Sequence, residues 1–427
     1  MEKRINPRHA WSALSALCVM TFIWIGIGWN TISLYADPVI SDWGIGRTQF
    51  MLCITLVSGG NTIVSLLAYG QIEARLGIRK VMVLGGCAST VAFAIMALSQ
   101  NLPMLYVGAA LFGFGVAFLS NNTFMTAVNH WFAKRQGTMT GIVTTVGSAS
   151  GILFATVMAI VIGAVGWRLG FGITAIASAL ATIVVFVLYK GDPKQLGELP
   201  LYAESKPESS SKADGTMEEA EGIGYADMFK TPQFYLIVLA FTCGGIACYA
   251  AFSNLAIFAV DLGYEAFSGA ALSIALAASA VGMTPGGIIV DKLGAKWMIA
   301  LCCILLIAGM AILMMTEIPL PLLFASCVLL GLGYCLCQVP AGAAVMDAFG
   351  PKEYSKKLGT CAGFVYLGVA LAPVVMSAFY DLTGTYQLSL IILVAMSIAT
   401  AVLIFPATKS VQGQQRLQNK DASEANQ

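Results

Sequence analysis

The sequence predicts an all-α membrane protein with twelve transmembrane helices in two parallel six-helix halves. Three observations predict it. The 427 residues are 58% hydrophobic and only 11% charged, with a mean hydropathy of +0.80, whereas ordinary soluble domains are about 25% charged. Charge-free runs long enough to cross a bilayer recur along the whole chain. Features of the first half return in the second at a nearly constant offset. The same composition excludes a cytosolic enzyme or a disordered scaffold. A net charge of +1 leaves no basic footprint for nucleic acid. The expected partners are the lipid bilayer and a small molecule, and the expected state is a monomer.

From His9 onward the stretches free of Asp, Glu, Lys and Arg are 9–36, 48–72, 81–133, 136–167, 169–189, 231–260, 266–290, 297–316, 318–346, 358–380 and 382–408. A span needs about 20 apolar residues, so ten of these runs hold one helix each. The run 81–133 holds two, divided at the turn signal Gln100-Asn101-Leu102-Pro103. A transmembrane barrel is excluded, because its strands run about 10 residues with alternating polarity. Twelve is even, which puts both termini on one side. That side, with the loops around 71–80, 134–136, 190–230, 291–296 and 347–357, holds 21 of the 23 Lys and Arg residues. The other side keeps Arg47 and Arg168, with the acids Asp37, Asp42, Asp261, Glu265, Glu317 and Asp381. The positive-inside rule then predicts a multi-pass cell-membrane protein with cytoplasmic termini. The run from Ala10 to Ala36 is too long for a signal-peptide core and reads as a retained first span. All eleven Cys fall inside expected spans, so no disulfide framework is expected. Cys302-Cys303 and Cys335-Leu-Cys337 read as buried fillers rather than metal ligands.

Residues 190–230 are the one long polar stretch, including Glu204-Ser-Lys-Pro-Glu-Ser-Ser-Ser-Lys, and read as a largely disordered cytoplasmic linker. It separates an N-terminal half, 1–189, from a C-terminal half, 231–408, which is followed by a polar tail, 409–427. The halves repeat. Gly70-Gln-Ile-Glu-Ala-Arg-Leu-Gly77-Ile-Arg-Lys80 follows span 2, and Gly287-Ile-Ile-Val-Asp-Lys-Leu-Gly294-Ala-Lys296 follows span 8, offset by 217. Gly113-Phe-Gly115 returns as Gly331-Leu-Gly333, and Gly137 and Gly141 return as Gly359 and Gly363, at offsets of 218 and 222.

A parallel repeat of six spans resembles the plan of the major facilitator superfamily. The resemblance is carried by that superfamily's loop signature Gly-x-Leu-Ala-Asp-Arg-x-Gly-Arg-Lys, matched at Gly70, Arg75, Gly77, Arg79 and Lys80, and again at Gly287, Asp291, Lys292, Gly294 and Lys296. It implies a gate at these residues. The first copy has Ala74 where the family has Asp, with Glu73 one place early. In the family that Asp caps a neighbouring helix and pairs with basic residues, holding the cytoplasmic side closed. The resemblance therefore implies a weaker gate here, or Glu73 as an imperfect substitute. The alternative is that these charges only fix topology. Within the superfamily the chain is most similar to the monocarboxylate and oxalate–formate porter branch. The supporting segments are Tyr35-Ala-Asp-Pro-Val-Ile-Ser-Asp-Trp-Gly-Ile-Gly-Arg47, Asn129-His-Trp-Phe-Ala-Lys-Arg-Gln-Gly137 and Gly166-Trp-Arg168.

The residues set limits on the chemistry. No charged side chain sits mid-span, whereas buried ionisable groups usually mark proton relays and anion sites. Those families carry a basic residue in span 8 or 11, and here span 8 has none, while Lys356 and Lys357 lie only at the mouth of span 11. A dicarboxylate is disfavoured. A monocarboxylate held by hydroxyls, amides and helix-end dipoles and a neutral or amphipathic solute both remain open. The uncharged polar groups are Asn30, Thr31 and Tyr35 in span 1, Asn121 and Asn122 in span 4, Tyr249, Ser253 and Asn254 in span 7, and Tyr334 and Gln338 in span 10. The superfamily lines its cavity mainly with these four spans. An amide facing lipid would leave its hydrogen bonds unmet, so these groups point inward, either as a solute site or as glue between helices. Tyr366 in span 11 joins the candidates. The stripe Gly137, Gly141, Thr144, Ser148, Gly151 reads as close packing between halves. His130 reads as a solvated loop histidine or a tuning group, and His9 has no expected role. No nucleotide motif, metal cluster or nucleophile constellation is present, so neither enzymatic activity nor a cofactor is expected. The expectation is a secondary or facilitative transporter, by antiport or symport, of a small organic solute, most simply a monocarboxylate-type anion. Efflux of amphipathic compounds and a transporter-like receptor are the rivals.

Overall fold

The computed structural model describes residues 4–193, 196–202, 222–255, 258–259, 263–264, 267–315, 318–383 and 386–409. Ten of its helices are long and apolar enough to cross a membrane, and the bent pair Leu52–Leu67 and Tyr69–Leu76 makes an eleventh. The remaining expected crossing falls on the 30-residue helix Tyr354–Thr383. Apolar side chains face outward at helical spacing, as on span 6 with Ile176, Leu180, Ile183 and Val187 all exposed. Such a face is stable in lipid and costly in water. Serine and threonine hydroxyls inside the spans donate back to carbonyls one turn earlier, as Thr90 does to Gly86 and Thr182 to Ser178.

Local chemistry sets the helix boundaries. Asn101 caps the outer half of span 4, its carboxamide accepting from the Met104 N–H at 3.0 Å, so the expected turn signal is a helix start. Spans 2 and 3 join at Gly77 (φ +78°), and spans 8 and 9 join at Gly294 (φ +90°). Both joints need the positive φ that glycine adopts without a Cβ penalty, which explains why this Leu-Gly pair recurs.

Spans 1, 2, 4 and 10 are not continuous α-helices. Span 1 runs as an α-helix Pro7–Met20, a π-helix Thr21–Trp29 and a 3₁₀ turn Ile32–Tyr35, and the α-helix Ala36–Trp43 extends it. Span 2 bends by 62° between Leu52–Leu67 and Tyr69–Leu76. Span 4 is split into an outer half, Leu102–Ala117, away from the linker, and an inner half, Asn121–Trp131, on the linker side. Span 10 is split into Leu320–Gly333, a 3₁₀ turn Tyr334–Cys337, and Ala341–Phe349. Pro340 has no N–H and clashes with the preceding turn, which breaks span 10. The run Ser120-Asn121-Asn122 offers competing side-chain hydrogen bonds at the break in span 4.

The halves meet along two seams on the side that carries the linker. Span 5 (Gln136–Val165) packs on span 8 (Ser268–Leu293), and span 2 packs on span 11 (Tyr354–Thr383). Glycines set the closeness. A Cβ on Gly137 would lie 2.5 Å from the Gly287 carbonyl oxygen, and one on Gly141 would lie 2.6 Å from that of Met283. On the second seam Gly70 abuts the backbone of Lys356. The small-residue stripe is therefore a packing surface between halves, as its spacing suggests.

The two ends of the linker are folded, unlike the loose segment expected for 190–230; residues 203–221 lie outside the described residues. Glu198–Leu199 pairs as a short parallel strand with Arg4–Ile5, and Leu201 bridges Phe132. His9 Nδ1 lies 2.9 Å from Glu198 Oε1, and Lys190 Nζ lies 3.2 Å from His9 Nε2. His130 Nδ1 is 3.6 Å from Asp192, so it is half-buried against the linker rather than freely solvated. Apolar anchors explain the order, since Leu201, Ile223 and Met228 are buried.

At the other end, Lys357 lies one residue before the charge-free run of span 11. It is fully buried, and its Nζ donates to the carbonyls of Ile223 (3.1 Å), Phe349 (2.9 Å) and Gly350 (3.1 Å). Lys357→Met should cost about 2 kcal/mol by stranding these carbonyls. Thermal unfolding of both proteins checks this.

Candidate functional site

The site is built from the two broken spans. The inner halves of spans 4 and 10 begin midway along their spans, at Asn121 and Ala341, and neither start has a side-chain cap. A helix start carries unpaired N–H groups and roughly half a positive charge. Two such starts on repeat-related spans therefore make an interior region that favours negative charge without a charged side chain.

Asn121 and Gln338 meet across the halves, the Asn121 Nδ2 donating to Gln338 Oε1. Gln338 Nε2 in turn donates to the Tyr334 hydroxyl at 3.3 Å, and Tyr334 stacks on Phe252 of span 7, with ring centroids 4.5 Å apart. Spans 4, 7 and 10 are thus joined through a chain of uncharged polar and aromatic groups. Asn122, beside Asn121, is fully buried, and neither its amide nitrogen nor its amide oxygen has a partner among the described residues. A buried amide with both functions unmet is costly, so Asn122 keeps a free donor and a free acceptor beside the Asn121–Gln338 pair.

The other predicted residues divide. Asn30 ends the π-helix, half-buried, with its amide packed on Gly151. Tyr249, Asn254 and Tyr366 are half-buried, and Asn254 Nδ2 donates to its own helix at the Ala250 carbonyl, 2.9 Å. The side chain of Ser253 lies outside the described residues. Thr31 and Tyr35 are not brought to this group. Thr31 is fully buried, with its hydroxyl donating to the Ile27 carbonyl. Tyr35 stacks on Phe171 of span 6 at 3.8 Å and reaches Thr174 at 3.4 Å. In a regular α-helix residues 31 and 35, one turn apart, would share a face, but the 3₁₀ turn Ile32–Tyr35 rotates Tyr35 away.

The predicted gate residues are also unequal. Asp291 accepts from the Gly137 N–H (2.7 Å), the Thr138 N–H (2.7 Å) and the Thr138 hydroxyl (2.5 Å). It caps span 5 across the seam, where the N-cap position, Arg135 (φ +62°), supplies no side-chain cap. Glu73 has no such role. It is buried, and its carboxylate makes no hydrogen bond or ion pair among the described residues; only its backbone carbonyl accepts, from the Gly77 N–H at 2.8 Å. One position is about 100° of helix rotation, enough to move its carboxyl off the line that Asp291 holds. Arg79 donates to the Phe186 carbonyl at 2.8 Å within its own half, while Arg75 and Lys292 are exposed. Sequence reasoning missed Thr145, which joins span 5 to Thr284 of span 8 at 2.8 Å. Its only signal was its place beside the small-residue stripe.

Comparisons with known proteins agree with this architecture. The Major Facilitator Superfamily profile matches residues 14–283 and 266–425. The MFS-type transporter pytF of Aspergillus terreus (strain NIH 2624 / FGSC A1156) is 30% identical over 187 residues, which is 43% of this chain and 56% of pytF. Monocarboxylate transporter 11 of Homo sapiens is 26% identical over 213 residues, 48% of this chain and 40% of that protein. These alignments span about half the length of each curated relative. The fold resembles the solved structure of the proton:xylose symporter XylE, with a TM-score of 0.72 at 12% identity, covering 94% of this chain and 96% of that one. With both halves matched and the apolar helices in place, the chain belongs to the major facilitator superfamily.

Proposed function

We propose that the protein carries a small monocarboxylate-type anion by alternating access, with its termini and linker in the cytoplasm and its two seams forming a closed cytoplasmic gate. The observation that carries this reading is the pair of uncapped inner half-helices of spans 4 and 10, which begin midway along their spans beside Asn121, Asn122 and Gln338. Helix starts and amide N–H groups favour a carboxylate. They do so with a total positive charge suited to one carboxylate rather than two. A monocarboxylate transporter among the relatives supports the same substrate class. Asp291, held across the span 5–8 seam by three hydrogen bonds, is the principal gate residue in this reading. Glu73 contributes little.

Ligand-induced thermal stabilisation tests the site, because a ligand that binds the folded state raises its apparent stability. Asn30→Ala, Asn122→Ala and Gln338→Ala should each weaken apparent affinity for a transported carboxylate by about tenfold, the equivalent of one charge-assisted hydrogen bond. Tyr35→Phe should leave the affinity unchanged. A normal shift in all three alanine variants would remove these residues from the site.

A further inference from the structure

We infer that Asn121 and Gln338 form an amide switch: paired with each other while the site is free, and turned together onto a carboxylate when the solute arrives. The inference rests on the proposed anion transport and adds how the anion is selected and how its binding is felt across the halves. The two residues are 217 positions apart, within one position of the 218 offset that relates Gly113 to Gly331 on the same two spans. They therefore stand at closely corresponding points of the two repeats and meet across the halves. Each stands where its span is broken.

The hydrogen-bond inventory makes a switch available. A primary amide has two N–H donors and one acceptor oxygen. In the present pairing Asn121 donates and Gln338 accepts, so the Gln338 N–H₂ is turned away, toward the Tyr334 hydroxyl at 3.3 Å. Rotating the terminal torsion of Gln338 by about 180°, a soft two-fold torsion, exchanges its oxygen for its nitrogen. Asn121 Nδ2 and Gln338 Nε2 can then each donate to one oxygen of a single carboxylate. The neutral amide–amide bond gives way to two charge-assisted bonds, each roughly twice as strong. The direct link between the halves is replaced by a link through the solute, which widens this level by the breadth of a carboxylate group. Solute binding is in this way transmitted to the packing of spans 4 and 10. A neutral carboxamide solute of the same shape offers only one acceptor oxygen, so the pair also discriminates by charge.

The experiment uses the full chain in proteoliposomes, with lactate and pyruvate as carboxylate probes and lactamide as the neutral isostere. Counterflow is measured at a series of concentrations for wild type, Gln338→Glu and the repeat-related Asn121→Asp. Ligand-free unfolding confirms that each variant folds. The expected result is lactate and pyruvate exchange in wild type, with the half-saturating concentration raised about tenfold or more in each acidic variant, since a donor is replaced by a like charge. That loss should be reversed as the pH is lowered and the introduced carboxyl takes up a proton and becomes a donor. A purely structural role would lower the maximal rate and the melting temperature without moving half-saturation. Carboxylate exchange in wild type with unchanged half-saturation in both folded variants would overturn the switch and leave the transport reading standing. Exchange of lactamide without exchange of either carboxylate would overturn both.

Discussion

Gly287→Ala should prevent closure of the linker side and reduce transport by about tenfold or more, while the protein stays folded. A Cβ at residue 287 would fall inside van der Waals contact with the backbone carbonyl of Gly137. A carbonyl fixed in a helix cannot swing aside as a side chain can, so spans 5 and 8 must separate. Overpacking of this kind costs about 1–3 kcal/mol, which is roughly a 5- to 150-fold loss of the closed form. The helix itself gains slightly, since alanine is a better helix former than glycine. The defect should therefore appear as a change of conformational balance rather than as unfolding. Spin labels at the exposed residues Lys80 and Lys296, one in each half, should report a longer distance in the variant. An unchanged distance with normal transport would mean that this seam does not have to close. Gly70→Ala makes the same test on the second seam.

Asp291→Ala should open the same seam by a different route. The carboxylate takes three hydrogen bonds from the first turn of span 5, and its charge lies against the positive helix end. Because Asp291 is exposed, water replaces part of what is lost. A net cost of about 1.5–3 kcal/mol follows for charge-assisted bonds, equivalent to a 10- to 150-fold shift away from closure. Asp291→Asn keeps an acceptor and should fall between. Glu73→Ala should change the label distance little, although Glu73 lies only one place before Ala74, the position related to Asp291, because Glu73 makes no bond across the seam. Equal effects at Asp291 and Glu73 would contradict this asymmetry. The imbalance also predicts that the span 2–11 seam, held by close packing at Gly70, Gly359 and Gly363, gives way before the span 5–8 seam.

Much of the fold was legible because bilayer physics imposes long apolar runs and leaves charges only between them. Gln100-Asn101-Leu102-Pro103 marked a helix start because Asn and Pro act there through local geometry alone. The repeated Leu-Gly pair was readable for the same reason, since Gly77 and Gly294 both occupy a backbone region that other residues avoid. The site was only partly legible. Residue spacing reports a shared face only while a helix keeps one period, and span 1 passes from α to π to 3₁₀ within Met20–Tyr35. The one-turn spacing of Thr31 and Tyr35 therefore does not give a shared face. Asn121 and Gln338 were each recognisable as polar groups in apolar spans. Their pairing depends on the breaks in spans 4 and 10 and on the approach of two halves 217 residues apart, which no local pattern records. At both of its ends the linker differs in the opposite sense. Its polar composition suggested looseness, yet Leu201, Ile223 and Met228 suffice to pin both ends, and His9 gains Glu198 and Lys190 as neighbours through tertiary contact alone.

Counterflow in proteoliposomes containing the purified full chain tests the central claim most directly. Vesicles preloaded with an unlabelled short monocarboxylate should take up the labelled acid transiently and saturably, with no added nucleotide, because exchange through a site shared by the two halves needs only the solute gradient. Absence of exchange for every carboxylate, together with efflux of lipophilic dyes, would contradict the account and place the protein among exporters of amphipathic compounds.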